Sequence, residues 1–277
     1  FTLKIDKANY FAFKVDDIEE AHSHVNFQQL ATDRAAFRLA DQFDQEALGY
    51  FAGFKQSALH SAADAANTTV SGTVAVSTAG TDELLASMKL DASDFTDGSG
   101  TAGSANNTIV LNSRAGGATD TTPAAATTHP LTLIARMGRK LDQQSVDSQG
   151  RWLVIDPVFM ELLKDEDSRL FNGDFGGDQG GLANGLAVAS IHGFKVYMSN
   201  NLPSVGTGPG TSATSNTSNY GAIIAGHSSS VATAEQINKT ETYRDPDSFA
   251  DIVRGMHMYG RKVLRPEAIV RAIYNIG

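Results

Sequence analysis

Apolar residues between Asn26 and Phe54 recur mostly at three- and four-residue steps: Phe27, Leu30, Phe37, Ala40, Phe43, Ala47 and Phe51. That is the period of one helix face. Proline is absent there and the first glycine, Gly49, comes late. Asn26 can cap the first turn, with Gln29 able to reach back to it. A helix of about 28 residues rises about 42 Å at 1.5 Å per residue, which suits a spine across a flat molecule. Both ends of the chain read as strands. Phe1 to Glu19, FTLKIDKANYFAFKVDDIE, is a β-rich arm in which Phe11 and Phe13 share a face, because strand side chains repeat with period two. Phe249 to Met258 and Ala268 to Tyr274 alternate apolar and polar positions as half-buried strands do. The basic connection Tyr259 to Glu267, closed by Pro266, joins them into a hairpin-like unit.

The middle of the chain changes character twice. From Ser61 to Thr128 alanine, threonine, serine and glycine dominate. Val70 to Val76 alternates as a strand, Asp82 to Leu90 predicts a short helix and Thr108 to Leu111 another strand. Gly116 to Thr128 reads as extended loop. Pro130 then opens a helix to about Ser145, with Leu131, Ile134 and Leu141 on one face. Arg151 to Ile155 is a short buried strand. Asp156-Pro157 supplies an N-cap and a first-turn proline for a helix to about Lys164. Ala187 to Met198 predicts two short strands broken at Gly193, Pro203 to Asn219 a loop, and Tyr220 to Ala225 a buried strand. Alternating short helices and strands from Pro130 to about Ile237 describe an α+β domain. Its neighbours are the long helix and the terminal strands, so one domain is inserted in the other.

Composition narrows the function more by exclusion than by assertion. The chain has no cysteine, which removes disulfides, thiolate metal sites and cysteine nucleophiles. Apolar runs such as Trp152 to Ile155 fall far short of the roughly 20 residues of a membrane span, and no signal-peptide pattern is visible. The start at Phe1, inside a strand pattern, predicts that an N-terminal part is removed or not shown. Thirty-one acidic residues against 22 basic leave a net charge of −9. Sequence-independent nucleic-acid binding needs clustered lysine and arginine. The cluster present, Arg261, Lys262 and Arg265, reads first as solvated or contact charge.

Candidate chemistry is thin. Gly226-His227-Ser228-Ser229-Ser230 lacks the second glycine of a nucleophile elbow, and no pattern links the seven histidines to it. Gly173 to Gly181 holds the letters DFG without the companion motifs of a kinase or a phosphate loop. Asp91, Asp94 and Asp97 have the wrong spacing for a calcium loop. His22 and His24 lack a third zinc ligand. The expectation is no enzyme: no catalytic residue, no cofactor and no metal.

The order of the C-terminal strands around LRPEA (Leu264 to Ala268) resembles the closing strands of major capsid proteins of short-tailed, marine-type phages, which have the Hong Kong 97-type coat fold. The opening arm is similar to the return arm of their extended loop. RWLVIDPVFMELLKD, followed by LAVASIHGFKVYMSNNLP, is similar to their axial domain. The resemblance covers about two thirds of the chain and weakens between Ser61 and His129. It implies an α+β fold with a long spine helix, a peripheral β-sheet domain and an axial α+β domain. The parts are a return arm over 1–25, the spine helix over 26–60, a β-containing insertion or loop over 61–129, the axial domain over 130–237 and peripheral strands over 238–277. It also implies self-assembly, as pentamers and hexamers, into an icosahedral head enclosing double-stranded DNA without sequence-specific binding. Assembly would take place in the host bacterial cytoplasm, with no membrane partner; scaffolding, portal and decoration proteins are the further partners it allows. Candidate inter-subunit contacts are Phe11, Phe13, Arg244, Asp245, Asp247, Arg261, Arg265 and Glu267; for the two phenylalanines, core and interface remain equally open. The lysine–asparagine crosslink of some family members has no matching motif here. Two alternatives stand: a secreted or surface-exposed, adhesin-like binding protein, suggested by the Ser/Thr/Gly-rich middle, and a serine hydrolase using Ser228.

Overall fold

The periodicity after residue 26 produces one continuous helix, α1 (Phe27–Phe51). The structure is a computed structural model, and it describes residues 2–16, 27–53, 84–90, 92–95, 109–111, 127–164, 190–205 and 220–276. The strand expected over 70–76, the glycine-rich stretch 173–181, the Asn26 cap, His22 and His24 lie outside the described residues. At 25 residues α1 spans about 37 Å. Its apolar stripe is not covered evenly: Leu30 is 50% and Phe37 69% exposed, whereas Ala47 and Phe51 are buried. The helix ends where Gly53 takes a positive φ of 75°, the left-handed conformation that a helix stop favours.

The other elements, in chain order, are strands β1 (Lys7–Asp16), β2 (Lys89–Leu90), β3 (Ile109–Leu111) and β4 (Thr127–Thr128), helix α2 (Pro130–Gln143), β5 (Arg151–Ile155), helix α3 (Pro157–Lys164), then β6 (Ser190–Ile191), β7 (Phe194–Met198), β8 (Ser204–Val205), β9 (Tyr220–His227), β10 (Val231–Arg244), β11 (Ala250–Val263) and β12 (Ile269–Ile276). The chain divides into two compact units, each made from two separate stretches. The first is Phe1–Ala47 with Val231–Lys262, and the second Leu48–Ser230 with Val263–Gly277.

In the first unit β11 is the middle of a three-stranded sheet, ordered β1-β11-β10. It runs antiparallel to β1, with Phe11 opposite Gly255 and Lys7 opposite Tyr259. Val253, Gly255, His257 and Tyr259 are buried while Arg254 and Met256 are exposed, the alternation expected of a strand with one covered face. Two glycines make the pairing possible. A Cβ on Gly255 would stand 2.4 Å from the Phe11 ring, and one on Gly260 2.2 Å from the Lys4 carbonyl oxygen.

The second unit holds a nine-stranded mixed sheet, ordered β4-β3-β12-β9-β5-β7-β6, with β2 also on β12 and β8 on β9. Here the half-buried expectation for the last strand fails. Ile269 to Asn275 are all buried: β12 has strand partners on both edges, and Val270, Ala272 and Tyr274 enter the apolar cluster. The hairpin-like reading fails too: β11 and β12 belong to different sheets. The Leu264 and Arg265 N–H groups both donate to the Ser230 carbonyl, at 2.8 and 3.2 Å, and Pro266 opens a 3-10 turn over Pro266–Ala268. The chain is thereby redirected, and β12 pairs antiparallel with β9 and parallel with β3. A third correction concerns the helix expected over Asp82 to Leu90. Within its described part the chain makes a 3-10 turn, Ala86–Met88, and then joins the sheet as β2, since pairing with β12 satisfies its backbone.

Both helices of this unit carry legible caps. Asp156 accepts the Phe159 N–H at 2.9 Å. At the start of α2 the His129 Nδ1 accepts the Leu131 N–H, a cap that the Pro130 signal did not name. Its end is a Schellman motif: Ser145 takes φ 55°, with Ser145 N–H to the Asp142 carbonyl and Val146 N–H to that of Leu141. The buried Arg151 donates to the Val146 carbonyl and to Asp142, tying β5 to that end. Leu133, Ile134, Met137 and Leu141 of α2 join Phe159, Ile223, Val270 and Tyr274 in one apolar cluster.

The Tyr274 hydroxyl donates to Asp156 Oδ1. Burial raises the Asp156 carboxyl above its ordinary value, outweighing the lowering by Tyr274 and by backbone N–H groups. The folded chain thus keeps a proton that the unfolded chain releases near pH 4. This contribution is full below the unfolded pKa and is lost as pH rises through the raised one. Asp156→Asn keeps both acceptor roles, and in urea titrations across that range it is expected to abolish this loss. Ile134→Ala is expected to cost about 2–5 kcal/mol by denaturant unfolding, and Leu30→Ala, on the exposed half of α1, under about 0.5 kcal/mol.

Candidate functional site

The face of the three-stranded sheet opposite Tyr259 carries large side chains that the first unit leaves uncovered. Tyr10, 80% exposed, stands directly opposite Met256, which is also exposed, as is Tyr243. Phe249, in the connection between β10 and β11, is 78% exposed. Large exposed apolar side chains gathered in one patch are a general feature of interaction surfaces.

Charges are laid across the same strands. Arg254 donates to Glu241 through Nη2 at 2.8 Å and Nε at 3.2 Å, and its guanidinium lies 5.1 Å over the Tyr243 ring. Lys14 pairs with Asp245 at 2.6 Å and Arg244 with Asp251 at 3.4 Å. Exposed pairs of this kind are screened by solvent, so they order the surface more than they stabilise it. Lys239, then Arg254, holds the Glu241 carboxyl down at about 2. Asp245 is also held at about 2, by Lys14 first, then by the Asp247 N–H and the Ser248 hydroxyl. Those last two bonds close the turn between β10 and β11, an Asx-type turn.

The expected contact residues separate into two groups. Phe11 and Phe13 stack at 6.0 Å and are only half-buried, on the face that packs over Gly255. Arg261 is turned inward, its side chain 8% exposed and 3.9 Å from Glu46. Arg244 and Asp247 are exposed beside the Asp245 turn. Arg265 donates to Glu267 at 2.9 Å and to the Ser229 hydroxyl at 3.4 Å. Glu267 is held low by its own backbone N–H and then by Arg265. Tyr243, Phe249 and Met256 carry no signal in the sequence that marks them as contacts, and Tyr10 stands there only as one of the arm's aromatics. The alternation in ANYFAFKV divides Tyr10 from Phe11 and Phe13, but only the packing of α1 says which side is inward.

Other sequence candidates are absorbed locally. His227 Nδ1 lies 2.8 Å from the Ser229 hydroxyl and accepts the Ser229 N–H, while the Ser228 N–H donates to the Gly150 carbonyl; this is a hydrogen-bonded turn between β9 and β10. Asp94 pairs with Lys140 at 2.8 Å. Among the described residues no group of three or more His, Cys, Asp or Glu could hold a metal ion, and no helix is long and apolar enough to cross a membrane.

Residues 2–272 match the family model described as phage capsid protein. The chain belongs to that family. Among solved structures this chain is similar to one from Mycobacterium phage Che8, with a TM-score of 0.60 and 23% identity over 99% of this chain and 72% of that one. It is similar to the capsid structure of the cyanophage P-SCSP1u, with a TM-score of 0.61 and 20% identity over 99% and 74%. The asymmetric unit of the bacteriophage PhiM1 mature capsid gives 0.55 and 15% over 100% and 72%. No curated protein matches the chain. The fold is therefore the α+β Hong Kong 97-type coat fold, and the role that of a major capsid protein of the virion, a structural one. For its exposed turn, a carboxyl NMR titration of the capsid protein is expected to find Asp245 at about 2. Lys14→Met is expected to move it back toward the ordinary range.

Proposed function

We propose that this capsid protein assembles into pentamers and hexamers of an icosahedral head, with the open face of the β1-β11-β10 sheet and the Asp245 turn as contact surfaces. The observation that carries this is the uncovered set Tyr10, Met256, Tyr243 and Phe249 on a chain of the capsid family. Apolar area of this kind contributes about 25 cal/mol per Å² when a neighbour covers it, before association costs. The charges at Arg244, Asp245, Asp247, Arg265 and Glu267 would fix register and partner choice more than affinity. In this reading the first unit is the body of the peripheral domain expected over 26–60 and 238–277 and the second that of the axial domain expected over 130–237, with 48–60 and 263–277 falling in the second unit. Phe11, Phe13 and Arg261 support the surface from behind.

The head would enclose double-stranded DNA without sequence-specific binding, a reading that the net charge of −9 supports, since an acidic wall repels phosphates. Assembly would take place in the host cytoplasm, with scaffolding, portal and decoration proteins as further partners. Sedimentation and electron microscopy of the expressed protein test this. Uniform shells are expected from the parent chain, and Tyr10→Asp with Phe249→Asp is expected to leave folded, unassembled subunits. Shells that form normally from that double variant would remove the open face from the contacts. Arg265→Glu tests the LRPEA connection in the same assay.

A further inference from the structure

The turn after β9 holds two donors that neither the fold nor the open sheet face uses. The His227 ring is fixed on its near side. Its Nδ1 accepts the Ser229 N–H at 3.2 Å and lies 2.8 Å from the Ser229 hydroxyl. Arg265 Nη1 donates to that hydroxyl oxygen at 3.4 Å, so the hydroxyl turns its own hydrogen toward Nδ1. With Nδ1 accepting twice, the hydrogen of the neutral imidazole is on Nε2. Arg265 is itself held, its N–H on the Ser230 carbonyl at 3.2 Å and its Nε on Glu267 at 2.9 Å. Ser228 is placed by its N–H, which donates to the Gly150 carbonyl at 3.2 Å. Gly150 has a φ of 79° and no side chain. A Cβ there would stand 3.4 Å from both His227 Nε2 and Ser228 Oγ. The two donors therefore flank one spot, and Gly150 and Ser228 beside it are exposed. No bond within the described residues engages either atom.

We propose that, on the reading of this chain as a self-assembling coat subunit, His227 Nε2 and Ser228 Oγ form a donor pair that takes a carboxylate from a second copy. Donors whose direction the fold has already set lose less entropy on binding. A hydrogen bond to an ionised acceptor is also stronger than one between neutral groups. Glu267, the carboxylate of the same corner, is already engaged by Arg265, so the acid comes from outside the corner. A second copy has many to offer, with 31 acidic residues against 22 basic. A DNA phosphate would suit the same two donors, but a chain of net charge −9 repels a polyanion. The corner adjoins the LRPEA connection, so it gives that connection a chemical partner: an acidic side chain.

Nitrogen NMR of the purified, histidine-labelled subunit at about pH 8 tests the donor, with sodium acetate as the carboxylate probe. His227 is expected to show a bare Nδ1 and a protonated Nε2, and acetate at millimolar concentration to move the Nε2 signal. His192, also exposed, is the control expected to stay still. Ser228→Ala is expected to weaken acetate binding about tenfold. His227→Asn keeps an acceptor in the place of Nδ1 and removes the distal donor. In sedimentation both variants are expected to need about tenfold more subunit than the parent to form shells. Should His227→Asn fail to fold, Ser228→Ala carries the same comparison. A hydrogen on Nδ1, an Nε2 signal that acetate leaves unmoved, or folded variants that form shells at the parent's concentration would each overturn the donor pair and leave the coat reading standing. Inorganic phosphate acting at lower concentration than acetate would replace the carboxylate by a phosphate such as DNA carries. A parent chain that forms no shells would overturn both readings.

Discussion

The Tyr274 hydroxyl ends inside the second unit, and a buried phenol has to donate somewhere. It donates to Asp156, which also caps α3, so one acceptor joins the centre of β12 to the start of a helix. The Phe159 ring packs edge-on against Tyr274 at 5.4 Å and closes the same corner. Around that corner β12 collects β9, β3 and β2, and its buried Arg271 donates to the Ala52 carbonyl at the end of α1, where a cation is favoured by the helix dipole. The terminal strand is thus the piece on which the rest of this unit is assembled.

The first unit solves a different problem. A helix lies on one face of a three-stranded sheet, and the buried side chains there mix polar Glu46, His257 and Tyr259 with apolar Ala47, Ala250 and Val253. The other sheet face is left with tyrosines, a methionine and ordered ion pairs.

Much of the secondary structure was legible because it rests on local chemistry. The 3.6-residue stripe of α1, the Asp156-Pro157 start of α3, Pro130 at the head of α2 and the break at Gly193, with φ 82°, each follow from residues within a few positions. What misled was also local. Asp82 to Leu90 has helical composition, yet Lys89 and Leu90 pair with Arg271 and Ala272, partners remote in the chain. The apparent hairpin around LRPEA was an inference from adjacency, and adjacency does not bring β11 and β12 into one sheet.

By itself the sequence determined the classes of element, the absence of cysteine chemistry, the acidic balance, and enough ordered words to point to a coat protein. Tertiary structure decided which side of each strand faces inward. It turned Phe11, Phe13 and Arg261 toward the fold and left Tyr10, Phe249 and Met256 outside. The reason is that periodicity states only that alternate side chains point oppositely. Whether a given parity meets helix, sheet or solvent depends on contacts such as Glu46 with Tyr259, made by residues far apart in the chain, and these have no signature in any short window.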